Sequence, residues 1–257
     1  MDAGNAGPGR AGSRAQGQAR MSVLLAESIA EGIVSRGLRS GDRLAPEAEM
    51  VAEYGIGRAT LREALRVLEA QGVIEVRVGA GGGAFVARPD TQQLARVLSL
   101  MLRMSDVSVR EVFDARLIVE PALAAQAAHH REDRQVERLR ENQEELLNAP
   151  RGGPEFLRIN REFHTLLAEA AQNRPLAALW SALSAIADGH QAGVRYTPAA
   201  LGGTITSHRK IIEAVESQDA DAAARAMGHH LTAAQDYVRR YYRHLVDGPV
   251  TLVSGLD

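Results

Sequence analysis

Residues 47–72 read EAEMVAEYGIGRATLREALRVLEAQG, and this stretch decides the fold of the N-terminal part. Two helical patterns, 47–54 and 58–71, flank the turn Gly55, Ile56, Gly57. Met50 and Val51 give the first helix an inward side. Leu61, Leu65 and Leu68 recur three and four apart and form the buried stripe of the second. Helix, tight glycine turn, helix is the helix-turn-helix arrangement. Arg58, Arg62 and Arg66 lie four apart on a separate, exposed stripe, with Thr60 near its start. Guanidinium groups beside a helix N-terminus suit phosphates, and an arginine can bond guanine through two atoms at once. An ordinary solvated face would carry the same residues.

Working outward, residues 22–36 have a helical pattern with Val23, Leu24, Ile29 and Ile33 on one side and Gly37 as a stop. Residues 42–46 form a short extended link. Downstream, 73–78 alternate apolar and polar, 79–83 are four glycines around one alanine, and Ala84, Phe85 and Val86 follow. That is a β-hairpin with a glycine tip. Three helices plus a hairpin make a winged helix-turn-helix over 21–88. Residues 1–20 are Gly, Ala, Ser, Gln and Arg with few large apolar side chains, and are expected to be a disordered leader. Arg88, Pro89 and Asp90 read as a linker.

From Thr91 onward the patterns are helical: about 92–104, 108–130, 133–148, 154–172, 175–190, 200–217 and 219–244. They predict an all-α antiparallel bundle of six or seven helices over 91–245. The fold class is therefore mainly α.

The 257 residues carry 30 basic and 32 acidic side chains, a formal charge of −2. That excludes a polybasic tail or a diffusely basic nucleic-acid binder, but leaves room for a local basic face. Residues 1–90 hold 11 of each sign, so a basic surface there must be focused on one edge. There is no cysteine, which excludes disulfides, thiolate metal sites and a cysteine nucleophile. No apolar run approaches the ~18 residues of a membrane span, and no secretory pattern is present, so a cytoplasmic location is expected and no membrane partner.

In the helical part, Asn160 and His164 are four apart and point the same way. His208 shares a face with Ile205, Ile212 and Val215. His230 shares one with Met227, Ala223 and Ala234. Imidazoles on three helices, each turned to the core, suit a divalent metal; three hydrogen-bonded core histidines would give the same pattern. Arg116 and Glu120 lie on the apolar stripe of Phe113, Leu117, Leu123 and Ala127. Either they pair with each other or Arg116 faces a carboxylate ligand. Arg161 and Arg195 are further pocket candidates. A metalloenzyme is the rival class. However, no HExxH arrangement exists, and Glu162, two residues before His164, points about half a turn away from it.

Residues 41–50 (GDRLAPEAEM), 57–65 (GRATLREAL), Leu68, Gly72 and 81–86 (GGGAFV) resemble the GntR family of bacterial transcription regulators. The resemblance implies that Arg58, Thr60 and Arg62 enter the major groove, with Arg66 on the same stripe. It also implies that the wing tip, through Gly79, Gly81 and Gly82, meets the minor groove or backbone. This chain departs in having Gly57 where Ser or Thr is usual and Ala48 where Arg is frequent. Residues 91–245 resemble the FCD domain of the FadR-type branch, on Phe113 to Arg116, Val119 to Pro121, Asn160 to His164, Asn173, His208 and His230. That resemblance implies a divalent metal, zinc first and Mn or Ni as alternatives, on Asn160, His164, His208 and His230. Asp is common where this chain has Asn160. It further implies a small organic or sugar acid bound near the metal by Arg116 and Glu120, with Arg161 and Arg195 near. The chain is thus expected to be a homodimeric, non-enzymatic repressor on a palindromic double-stranded operator. The alternative is a metal-dependent hydrolase.

Overall fold

A computed structural model describes residues 9–79, 81–88, 91–150, 154–191 and 194–251. The chain divides into two compact units, Met1–Gln93 and Leu94–Asp257.

The first unit contains α1 (Gly9–Ser35), α2 (Glu47–Tyr54), α3 (Arg58–Ala70), β1 (Ile74–Arg77) and β2 (Gly83–Val86). Leu61, Ala64, Leu65 and Leu68 of α3 pack with Leu25, Ala26, Ile29 and Ile33 of α1 in one core. Two expectations need correcting on α1. The helix begins at Gly9, inside the segment read as a disordered leader, where Arg, Ala and Gln are good helix formers; residues 1–8 of that leader lie outside the described residues. Its buried face is Ser22, Leu25, Ala26, Ile29 and Ile33, while Val23 and Leu24 are exposed. The small Ser22 and Ala26 take the inward positions because they let a helix approach its neighbour closely, which Val23 and Leu24 would not.

Gly55 closes α2 in the left-handed region (φ 63°), its N–H donating to Val51 O. This is the conformation that turns the chain sharply into α3 and that glycine adopts without penalty. β1 and β2 pair antiparallel from Ile74↔Val86 to Arg77↔Gly83. The link at 42–46 does more than connect. Gly41 N–H donates to Val86 O, Val86 N–H to Asp42 O and Leu44 N–H to Ala84 O, so this segment flanks the hairpin's second strand. Of the proposed linker, Pro89 and Asp90 lie outside the described residues.

The second unit is helical: α4 (Thr91–Met104), α5 (Val109–His130), α6 (Asp133–Asn148), α7 (Pro154–Ala170), α8 (Arg174–Gln191), α9 (Pro198–Glu216), α10 (Ala220–Tyr241) and the short α11 (Arg243–Val246). Seven long helices match the expected bundle. A capping box starts α5: Glu111 N–H donates to Ser108 Oγ while the Glu111 carboxylate accepts from Ser108 N–H. α5 lies at the centre, in contact with α7, α8, α9 and α10. Its Pro121 ring faces Gly228 of α10, so α10 comes close beside Glu120. Among the described residues no helix is long and apolar enough to cross a membrane.

Candidate metal and effector site, and nucleic-acid interface

α5, α7, α9 and α10 deliver Arg116 and Glu120, Asn160 and His164, His208, and His230 to one region. The three histidines are buried, and one ligand atom from each lies within 4.8 Å of the others. His164 Nε2 and His230 Nε2 are 3.4 Å apart. Two nitrogens on one tetrahedral zinc, each about 2.0–2.1 Å from the ion, would stand about 3.3 Å apart. The opposite ring nitrogens are held from behind. His230 Nδ1 is 2.8 Å from Ser207 Oγ. His164 Nδ1 is 2.6 Å from Glu120 Oε2, a close polar contact short of a well-aligned hydrogen bond. Such partners fix ring orientation and leave Nε2 for an ion. His208 stacks on Phe163 with ring centres 3.7 Å apart, and neither of its ring nitrogens has a protein partner. A fully buried imidazole with two idle nitrogens beside two others is the arrangement a metal would complete.

The electrostatics agree. Burial, then the neighbouring histidines, hold His208 well below its ordinary value. Burial and His164 bring His230 down to about 3. Both rings are therefore neutral at pH 7, as ligands must be. Burial would raise Glu120, but Arg116 and His164 outweigh it and bring it down to about 2.

Asn160, His164, His230 and Arg116 line one cavity of about 690 Å³, its open mouth included. His208 is fully buried and is not part of its wall. Of the two readings of Arg116, the pairing is present, its Nε donating to Glu120 Oε1 at 2.6 Å, and the residue also lines the cavity. Arg161 and Arg195 do not line it. Arg161 is exposed and pairs with Asp188 at 2.7 Å. Arg195 is exposed, and it is its backbone that is used, the N–H donating to Tyr242 Oη and the carbonyl accepting from Tyr237 Oη. The lining that sequence reasoning missed is Asp188, Tyr196, Thr204 and Gln235. Burial pushes the Tyr196 phenol up to about 12, against the pull of Arg116, so it remains a hydroxyl. None of these four sits at a spacing that marks it, because each comes from a different segment.

In the first unit, Arg58, Arg62 and Arg66 are exposed on α3, and Thr60 is half-buried. Arg62 Nε is 3.1 Å from Glu47 Oε2, and Arg66 pairs with Glu63. These exposed pairs are weak, on the order of 0–1 kcal/mol, and a phosphate can displace them. At the wing, Gly79 and Gly81 have positive φ (104° and 83°). Gly82 has no room for a Cβ, which would fall on the carbonyl oxygens of Arg77 and Gly79. Sequence reasoning also missed Arg43, whose guanidinium donates to Gly82 O at 2.6 Å, and Arg77, stacked 4.2 Å from the centre of Phe85.

Residues 23–86 match the bacterial regulatory proteins of the gntR family, and 111–233 match the FCD domain. The chain belongs to the GntR family. Its helical unit is an FCD domain of the FadR-type branch. The transcriptional regulator LutR of Bacillus subtilis is 25% identical over 81% of this chain and 97% of its own length. The transcriptional repressor NanR of Escherichia coli K12 is 28% identical over 86% of this chain and 85% of its own. A Streptococcus agalactiae GntR structure, 24% identical, superposes with a TM-score of 0.69 over 84% of this chain and 99% of its own, which bears on the fold. This GntR-family chain is a DNA-binding transcriptional regulator and not an enzyme. Glu162, the one candidate base of the hydrolase alternative, points outward and binds Arg158 at 2.9 Å.

Proposed function

We propose that this regulator is a homodimeric repressor, as the similar NanR is a repressor. In this reading it works in the cytoplasm on a palindromic operator, and a small organic or sugar acid bound in the helical domain controls its DNA affinity. The observation that carries the reading is the convergence of His164, His208 and His230, with idle nitrogens, at a cavity that also holds Arg116. Asn160, His164, His208 and His230 would hold a divalent ion, zinc first and Mn or Ni as alternatives. When bound, the ion supplies a Lewis-acidic anchor for a carboxylate. Arg116 offers a second anchor, oriented by Glu120, and the same Glu120 fixes the His164 ring. Asn160 ligates through a neutral amide, so an ion here keeps its full charge for an anionic effector. The effector changes operator affinity only by its differential affinity for two states of the protein. On DNA, Arg58, Thr60, Arg62 and Arg66 read or clamp the major groove, and Gly79, Gly81 and Gly82 let the wing backbone approach.

The test has two arms. Purified protein is expected to hold about one metal ion per chain, lost in His164→Ala. In a mobility-shift assay on the intergenic DNA beside its own gene, wild type retards the fragment and an Arg58→Ala, Arg62→Ala double variant does not. Metal-free wild type refutes the metal site, and equal retardation by both proteins refutes the DNA-facing helix.

A further inference from the structure

The cavity has a second charged wall. Asp188 of α8 lines it, with its side chain 19% exposed. Arg161 reaches Oδ2 at 2.7 Å from outside the cavity lining and is half exposed, and the buried Arg116 also feels the charge of Asp188. Ser184 Oγ also approaches Oδ2, at 3.5 Å, and Asp188 forms part of the cavity lining. Its neighbours on that lining, Tyr196, Thr204 and Gln235, are uncharged. On the same lining, the charge of Arg116 is already matched by Glu120 at 2.6 Å and is also felt by Asp188. Apart from an ion on the histidines, the lining has no unmatched positive charge to receive a second carboxylate.

Resting on the metal-and-carboxylate reading above, we propose that Asp188 determines specificity and selects a polyhydroxy monocarboxylate over a dicarboxylate. One carboxylate goes to the ion and Arg116. The far end of the ligand meets Asp188, where a hydroxyl donates a charge-assisted hydrogen bond and a carboxylate is repelled in a half-buried setting. This is discrimination by a repulsive element as much as by an attractive one.

Pairs of acids that share a skeleton test it: glycerate with tartronate, threonate with tartrate, galactonate with galactarate. Each is titrated calorimetrically into the zinc-loaded full chain at a fixed free zinc concentration. In at least one pair the monoacid is expected to bind about tenfold tighter or more, the scale of one charged hydrogen bond gained or lost. Asp188→Asn should narrow that gap to about threefold or less, mainly by tightening the diacid. Arg161→Ala, a change at an exposed side chain, should widen it by removing the ion pair from Asp188. Equal binding within every pair, or a preference that Asp188→Asn and Arg161→Ala leave unchanged, overturns the proposal while sparing the anchor. If no acid of either kind binds the zinc-loaded protein, the anchor reading falls and the proposal with it.

Discussion

His208 shows the tension between stability and function in a single side chain. Both ring nitrogens are buried without a protein partner, and such an orphan costs about 1–3 kcal/mol. His208→Leu, close in volume, should stabilise the metal-free protein by about 1–2 kcal/mol in urea unfolding and abolish metal binding. Loss of stability would argue that the imidazole serves packing through its stack on Phe163. The same residue sets an acid sensitivity. Unfolded histidines titrate near 6.5, whereas folded His208 lies well below that and His230 near 3. Below pH 6.5 the unfolded chain thus binds more protons, and the fold loses up to about 1.4 kcal/mol per pH unit for each such histidine as pH falls, for His230 down to about 3. Glu120, held near 2, acts in the same direction below 4.5. Thermal melts of metal-free protein from pH 7 to 5 should fall, and less steeply in His208→Leu; a flat profile refutes the argument. The inward faces of the three histidines were legible from helical periodicity. Their meeting point was not, because contacts between residues 164, 208 and 230 depend on how helices cross, which no local spacing records.

At the scale of elements, two glycines that look alike in sequence behave in opposite ways. Gly57 caps α3 with φ −76° and ψ 149°, a conformation open to any residue; no side-chain cap is present and nothing lies within 4 Å of an added Cβ. Gly57→Ser should supply the missing cap and restrict the unfolded chain, stabilising the reader unit by about 0.5–1 kcal/mol in denaturant unfolding. Gly82 is the reverse, since a Cβ there meets the Arg77 carbonyl and lies 2.8 Å from Gly79 O. Gly82→Ala should cost about 1–3 kcal/mol and weaken operator retardation, with helix content unchanged by circular dichroism. A neutral Gly82→Ala would show that the tip has slack. Sequence pattern marked both positions as turns and located the long helices of the second unit from their breaks. It could not distinguish a glycine required by crowding from one that is merely tolerated. Nor could it phase α1, where Val23 and Leu24 offered a larger apolar signal than the Ser22 and Ala26 that are buried.

At the scale of the whole molecule, each unit buries its own apolar cluster, so each has the means to fold as a body. The helical unit nevertheless leaves a stripe open. Leu94, Val97, Met101 and Met104 share one face of α4 and are exposed, as is Ile118 of α5. Large exposed apolar patches mark association surfaces, and a palindromic operator calls for two copies. Val97→Asp with Met101→Asp should sediment as a monomer where wild type sediments as a dimer; an unchanged dimer moves the interface elsewhere. The regulatory reading carries a stricter requirement. If the acid weakens operator binding by some factor, linkage obliges operator DNA to weaken acid binding by the same factor, typically about 5–150-fold. Titrating threonate or another bound acid into zinc-loaded protein, with and without a saturating operator duplex, measures one factor. Titrating the duplex with and without saturating acid measures the other. Equal factors above unity establish coupling between the acid site and the DNA-facing helix. A factor of one in both directions means the acid binds without regulating, whatever its affinity.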